Sequence, residues 1–359
     1  MTEVRPNSCG RPELPVPSIV DYRPVSTLVT AEHKVPRAKF PVVDYHGHPQ
    51  QLLNTPEGLA SLIKSLDSLN VRLMMVADAM TGDRLKRAAD AINASPYRDR
   101  VRVLAGLSLQ GVGSPGWSER AVAQLEADVK AGAVGVGEIM KGFGLSIRKA
   151  DGSRLRIDDP ALEPLWEACA RLNLPVFIHT ADPAEFFQPI DYKNERWLEL
   201  SLFGDRRYQS EQYPRFEELI AERDHLFKSH PKIKFITAHL GWQANDLGTF
   251  SKLLDAAPNV YSEVGAVLYD LGRQPRAAHD FLVKYQDRIL FGKDSFQPEE
   301  YPYYWRVFET RDEYFDYYRP YHAFWKLYGL DLPDVVLKKL YYQNALKLTP
   351  AAPQSGWPR

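Results

Sequence analysis

The chain has 359 residues, 44% of them hydrophobic and 25% charged, with a net charge of −1, enough for one large domain or two ordinary ones and without a global field for nucleic acid or an anionic membrane. Only two cysteines occur, Cys9 and Cys169; without CxxC spacing they exclude a disulfide framework and a zinc ribbon. No apolar run approaches the ~20 residues that a bilayer requires, and the first residues are polar with no apolar signal core, so a cytoplasmic protein without membrane or nucleic-acid partners is expected.

Prolines at 6, 12, 15, 17, 24, 36 and 41 mark residues 1–39 as an extended arm, because proline fixes φ and removes an amide donor. Val16, Ile19, Val20, Tyr22 and Leu28 are its candidate anchors on the body. The main domain is expected over residues 40–350, with 351–359 as a tail.

The domain opens with Phe40-Pro41-Val42-Val43-Asp44-Tyr45-His46-Gly47-His48. Side chains alternate along a strand, so His46 and His48 project to the same side. A helix follows over 55–70, with Leu59, Leu62, Ile63, Leu66 and Leu69 at helical spacing, Thr55 as N-cap and Pro56 in the first turn. Further strands are expected at 71–79, 101–109, 134–140, 174–179, 233–239, 260–264 and 288–294. Helical patterns at 82–94, 118–131, 160–172, 215–229, 246–257 and 276–284 alternate with them. Eight apolar strands separated by helices imply parallel βαβ units, and their size is that of a (β/α)8 TIM barrel. An open doubly wound sheet is the competing architecture, but no glycine-rich phosphate loop follows the first strand, and polar residues recur at many strand ends. The connections 142–159 and 183–214 are long and belong to the catalytic face of such a barrel. Residues 297–350 form an aromatic-rich C-terminal extension that closes with a helix over 332–348; an exposed aromatic surface there would make the protein a homodimer.

A barrel brings together residues far apart in sequence. His46 and His48 end the first strand, His179 the fifth, His239 the sixth and Asp294 the eighth. Four of nine histidines at strand ends, with an aspartate, point to a metal site. His33, His225, His230, His279 and His322 lie elsewhere and read as solvated or capping residues.

The ordered set His46-Gly47-His48, His179 in VFIHTADP, His239 in FITAHLGW and Asp294 in ILFGKDSF resembles the amidohydrolase superfamily. More narrowly it is similar to the branch containing aminocarboxymuconate-semialdehyde decarboxylase, related decarboxylases and lactone hydrolases. The resemblance implies a metal-dependent TIM barrel in which His46, His48, His179 and Asp294 hold one divalent ion, usually Zn2+ with Mn2+ as the alternative, and no organic cofactor. His239 would be the acid/base, and Asp294 would take a proton as well as ligate. Glu138 falls near the fourth strand end, where binuclear relatives place a bridging residue; it is a second-metal ligand, a partner behind the ligands, a substrate contact, or simply an ion pair with Lys141. Lys293 is expected to point away from Asp294 and pack behind the site. Asp182, Trp242 and Arg273 are the candidate substrate contacts, with Glu185, Arg196, Arg206, Arg207 and Arg276 as further loop residues and Glu263 on the barrel floor.

The implied activity is hydrolysis of a small molecule, a metal-bound water attacking a lactone, ester or amide carbonyl. The alternative is a non-oxidative decarboxylase (a carboxy-lyase) of an unsaturated or aromatic acid. A second alternative, from another class, is a non-catalytic barrel used for binding.

Overall fold

In the computed structural model the described residues are 15, 17–209, 211–322 and 324–358; Pro6, Cys9, Pro12 and Val16 lie outside them. The apolar runs form nine parallel strands: β1 (Val42–His48), β2 (Val71–Met80), β3 (Val101–Ala105), β4 (Val136–Ile139), β5 (Val176–Ile178), β6 (Phe235–Thr237), β7 (Val260–Glu263), β8 (Ile289–Leu290) and β9 (Asp294–Ser295). Their order in the sheet is β8-β7-β6-β5-β4-β3-β2-β1-β9. β8 and β9 are two pieces of one run, the first paired with β7 and the second with β1. Between them the Tyr45 N–H donates to the Phe291 carbonyl at 3.0 Å. The last run therefore reaches both edges of the curled sheet, as in a TIM barrel.

The alternation of period 2 with helical period accounts for this order. β1 and β2 are buried along nearly their whole length, the pattern of strands covered on both faces. The helix Pro56–Leu69 joins them and buries Leu59, Leu62, Ile63, Leu66 and Leu69, with the Thr55 side chain accepting from the Gly58 N–H. Strand boundaries are shorter than the apolar runs suggest. β3 stops at Ala105, and Gly106 after it lies hard against the Ala79 backbone, where a Cβ would sit 2.5 Å from the Ala79 carbonyl oxygen. β6 stops at Thr237, and His239 lies in a turn beyond it.

Two expectations about the periphery change. Ile19, Val20, Tyr22 and Leu28 are largely exposed. The arm is fastened by His33, whose N–H donates to Asp312 at 2.8 Å, and by an edge contact of Tyr22 with Phe324. The aromatic extension turns inward: Tyr301, Tyr304, Trp305, Phe308 and Tyr341 are fully buried, clustered around or beside Phe291. The closing helical run extends over 334–348, with a wider π turn at Lys339–Gln343. Trp357 stacks on Tyr342 at 5.3 Å and brings the tail onto the body. Among the described residues no helix is long and apolar enough to cross a membrane.

Candidate metal centre

Strand alternation delivers His46 and His48 to one side of β1, with their Nε2 atoms 3.1 Å apart. Each ring is oriented from behind by a carboxylate. His46 Nδ1 donates to Glu263 Oε1 at 3.1 Å, and His48 Nδ1 donates to Asp78 Oδ1 at 3.0 Å. With the proton on Nδ1, both Nε2 lone pairs face the same point. Glu138 Oε2 joins them at 3.4 Å from His46 Nε2 and 3.2 Å from His48 Nε2. Asp294 Oδ1 stands 4.0 and 3.9 Å from the same two nitrogens.

Acceptor atoms that converge with no hydrogen between them repel, and a cation removes the conflict. The three short separations match the edge of about 3.3 Å in a tetrahedron whose metal–ligand bonds are about 2.0–2.1 Å. Two overlapping sets of donors lie within 4.8 Å of one another: His46, His48 and Asp294, and His46, Glu138 and His239. The residues present fit a divalent ion. Without an ion, protons fill the same gap. Burial would lower the pKa of both histidines, yet the surrounding carboxylates lift His46 well above its ordinary value and His48 to about 9. Burial would raise Glu138, but His46 and His179 hold it well below the usual carboxylate range.

His239 reaches the site by a backbone device. His239, Leu240, Gly241 and Trp242 all have φ between 50 and 60°. In the left-handed region each residue with a Cβ costs about 1–2 kcal/mol. The turn is held at its first residue, where the His239 N–H donates to Glu263 Oε1 at 2.7 Å, and at its third, where Arg223 Nη1 donates to the Gly241 carbonyl at 2.9 Å. Gly241 has to be glycine here, since a Cβ would lie 2.3 Å from Arg223 Nη1. His239 Nδ1 donates to the Gly265 carbonyl at 2.8 Å, which leaves Nε2 as a lone pair. Burial, then the neighbouring His179, push its pKa down to about 4.

His179 stands beside the donor cluster, outside both sets. Its Nδ1 lies 2.6 Å from Glu138 Oε1, and its Nε2 accepts from the Trp242 indole at 3.0 Å. Glu138 thus faces His46 and His48 with one oxygen and His179 with the other. Asp182 takes the Tyr208 hydroxyl at 2.8 Å and Lys141 Nζ at 2.9 Å. Burial would raise its pKa, but His179 and Lys141 hold it at about 2. Lys141 therefore pairs with Asp182, and no ion pair with Glu138 forms.

A cavity of about 740 Å³ opens over the cluster, and Asp182 and Trp242 are in its wall. Arg273 is not. Its guanidinium pairs with Glu195 at 2.9 and 3.0 Å and with Asp270 at 2.8 Å, and lies over the Trp325 ring, so it is held away from the centre by acids on its own side. The cavity wall draws on the 183–214 and 297–325 segments, with no residue from 142–159. Lys293 packs behind Asp294 as expected, with Nζ on Glu300 at 2.5 Å among Tyr301, Tyr304 and Tyr318. His322, read as solvated, is buried and bonded to Glu199 at 3.1 Å. Asp78 escaped the sequence reading. Its one signal is an acid inside the apolar run VRLMMVADA.

A TIM barrel with histidines and carboxylates gathered at strand ends defines the class. The chain belongs to the amidohydrolase family, whose sequence profile matches residues 43–350. Compared with curated proteins by sequence, the chain has no significant match. Among solved structures it is similar to an uncharacterised TIM-barrel protein from Bordetella bronchiseptica (TM-score 0.55, 16% identity, 87% of this chain and 99% of that one). It is also similar to 2,6-dihydroxybenzoate decarboxylase from Rhizobium (0.51, 15%, 87% and 99%). A third is dihydroxybenzoic acid decarboxylase from Polaromonas with bound manganese and 2-nitroresorcinol (0.51, 15%, 87% and 97%). At these identities the likeness concerns the fold.

Proposed function

We propose that the chain is a metal-dependent hydrolase acting on a lactone, ester or amide carbonyl of a small molecule. The observation that carries this reading is the convergence of His46, His48, Glu138 and Asp294 at one point, with an unprotonated His239 nitrogen beside them. A divalent ion bound there, zinc or manganese by the donor chemistry, would polarise a carbonyl and acidify a water. Asp294 takes no hydrogen bond from any donor among the described residues, so its carboxylate is free both to ligate and to accept a proton. His239 has its tautomer set by the Gly265 carbonyl. Its Nε2 takes a proton from the attacking side and returns it to the leaving oxygen or nitrogen. Trp242 and His179 wall the site and steady Glu138.

A second reading, non-oxidative decarboxylation of an unsaturated or aromatic acid, draws support from the cationic side chains in the cavity wall, which would hold a carboxylate near the cluster. The aryl-acid decarboxylases named above share the fold with this chain. A non-catalytic barrel has no use for two histidines whose lone pairs are aimed at one point.

The discriminating experiment incubates the metal-loaded chain with lactones, esters, amides and aryl acids in 18O-labelled heavy water, with mass spectrometry of the products. The proposal expects one solvent oxygen in the product and no carbon dioxide, and turnover lost in His239→Asn with metal retained. Carbon dioxide release with deuterium on the former carboxyl carbon would overturn it in favour of the second reading.

A further inference from the structure

The 142–159 segment takes no part in the cavity over the donor cluster, but it lines a second one. A cavity of about 410 Å³ lies beside the ends of β2, β3 and β4, walled by Leu107, Leu109, Ile139, Met140 and Ile147. Apart from Glu138, its polar residues are Gln110 and Arg148, and both are exposed. The two cavities meet at Glu138 and Met140, which belong to both walls. Glu138 ties that shared wall to the donors, with one oxygen on His46 and His48 and the other on His179. Met140 is 48% exposed, whereas Ile139 before it is buried. The cavities differ in chemistry. Lys141, Asp182, Glu199 and Arg206 stand in the wall of the larger one, and none of them reaches the smaller one.

Apolar surface gains free energy when it is taken out of water, in proportion to the area covered. A concave apolar wall that runs into a charged site offers that gain to a molecule with two ends. A methionine at the junction suits such a role, because its unbranched side chain repacks around what lies against it. We infer that the smaller cavity receives an apolar chain of the substrate, part of the same molecule whose carbonyl reacts at the His46–His48–Glu138–Asp294 cluster. This assignment rests on the catalytic reading of that cluster and narrows its substrate class to carbonyl compounds with an alkyl tail, such as an alkyl-substituted lactone or a fatty ester or amide. The competing role for the cavity is a gap under the 142–159 segment that only water fills.

The test is calorimetric titration of the zinc-loaded full chain with acetohydroxamate, butanohydroxamate, hexanohydroxamate and octanohydroxamate, whose common head chelates zinc and whose tails lengthen. Metal content is measured on each sample. Wild type should bind the series with affinity rising about two- to fourfold for each added methylene. Ile147→Trp fills the smaller cavity and Leu107→Asn makes its wall polar; both positions are half-buried. Each variant should keep the metal and its affinity for acetohydroxamate and lose most of the rise. A flat series in wild type with acetohydroxamate bound overturns the inference and leaves the metal centre standing. A rise that persists undiminished in both variants also overturns it, since the tail then lies in the larger cavity. A chain that takes up no zinc and binds no acetohydroxamate overturns the catalytic reading, and the inference with it.

Discussion

Glu199 gathers Arg196, Arg206 and His322 within 3.1 Å, while a few residues away in the same cavity wall His48, Glu138 and Asp294 gather around His46. Both clusters are charged and largely buried, but their balance differs. In the first, one carboxylate faces three donors, so the carboxylate is satisfied, although the buried His322 Nδ1 has no partner among the described residues. In the second, two nitrogens and two carboxylate oxygens face one another and their donors point outward, to Glu263 and Asp78. Burial and charge alone do not mark a functional centre. Acceptors aimed at one another do, because a proton or a metal ion has to sit between them.

Four changes test this contrast. The largest effect is expected where the complete cluster is broken. Glu199→Gln leaves Arg196 with Glu185 alone and removes the charge facing Arg206, and should cost about 3–5 kcal/mol in denaturant unfolding. Metal content of the folded protein should not change. Loss of metal on that substitution would mean that the two clusters are one unit.

The next effect is a pH dependence confined to the metal-free chain. His48 is raised to about 9 from an ordinary 6.5. A raised histidine contributes stability that is fully present below 6.5 and is lost as pH climbs through 9, on the order of 3 kcal/mol for that shift. Thermal melts of chelator-treated protein should fall between pH 6.5 and 9. The metal-loaded protein, whose His48 holds an ion in place of a proton, should show little of that fall.

Smaller changes come from the carboxylates behind the histidines. Glu263→Gln weakens the hold on the His46 ring and on the His239 amide, and should lower metal affinity by about 10–100-fold in competition with a chelating dye. Asp78→Asn acts on the Gln50 amide and on His48, which is less buried than His46. Its effect should sit near the lower end, about tenfold. Equal losses from the two substitutions would contradict the view that Glu263 holds two histidines of the site and Asp78 only one.

The strand and helix order was legible in the sequence because it rests on periodicity, which is local. So was the pairing of His46 with His48, since alternation along one strand needs no tertiary information. Glu138 was visible as an acid at a strand end, but its place among the donors was not, because that depends on how β4 sits beside β1 across the barrel. His239 was found for an incomplete reason. The run IKFITAH reads as strand to its end, yet the chain leaves the strand at Thr237 and turns left-handed, a turn stabilised by Glu263 and Arg223 from elsewhere in the chain. Arg273 shows the limit most plainly. It was a candidate substrate contact in sequence, and the positions of Glu195 and Asp270 hold it away from the centre.

The central claim is that the His46–His48–Glu138–Asp294 cluster is an ion site. Elemental analysis of the purified full chain, before and after dialysis against zinc or manganese, measures it most directly. The account predicts about one equivalent of divalent metal, lost on chelation and regained on dialysis. Less than about a tenth of an equivalent, with none taken up on reconstitution, would contradict it.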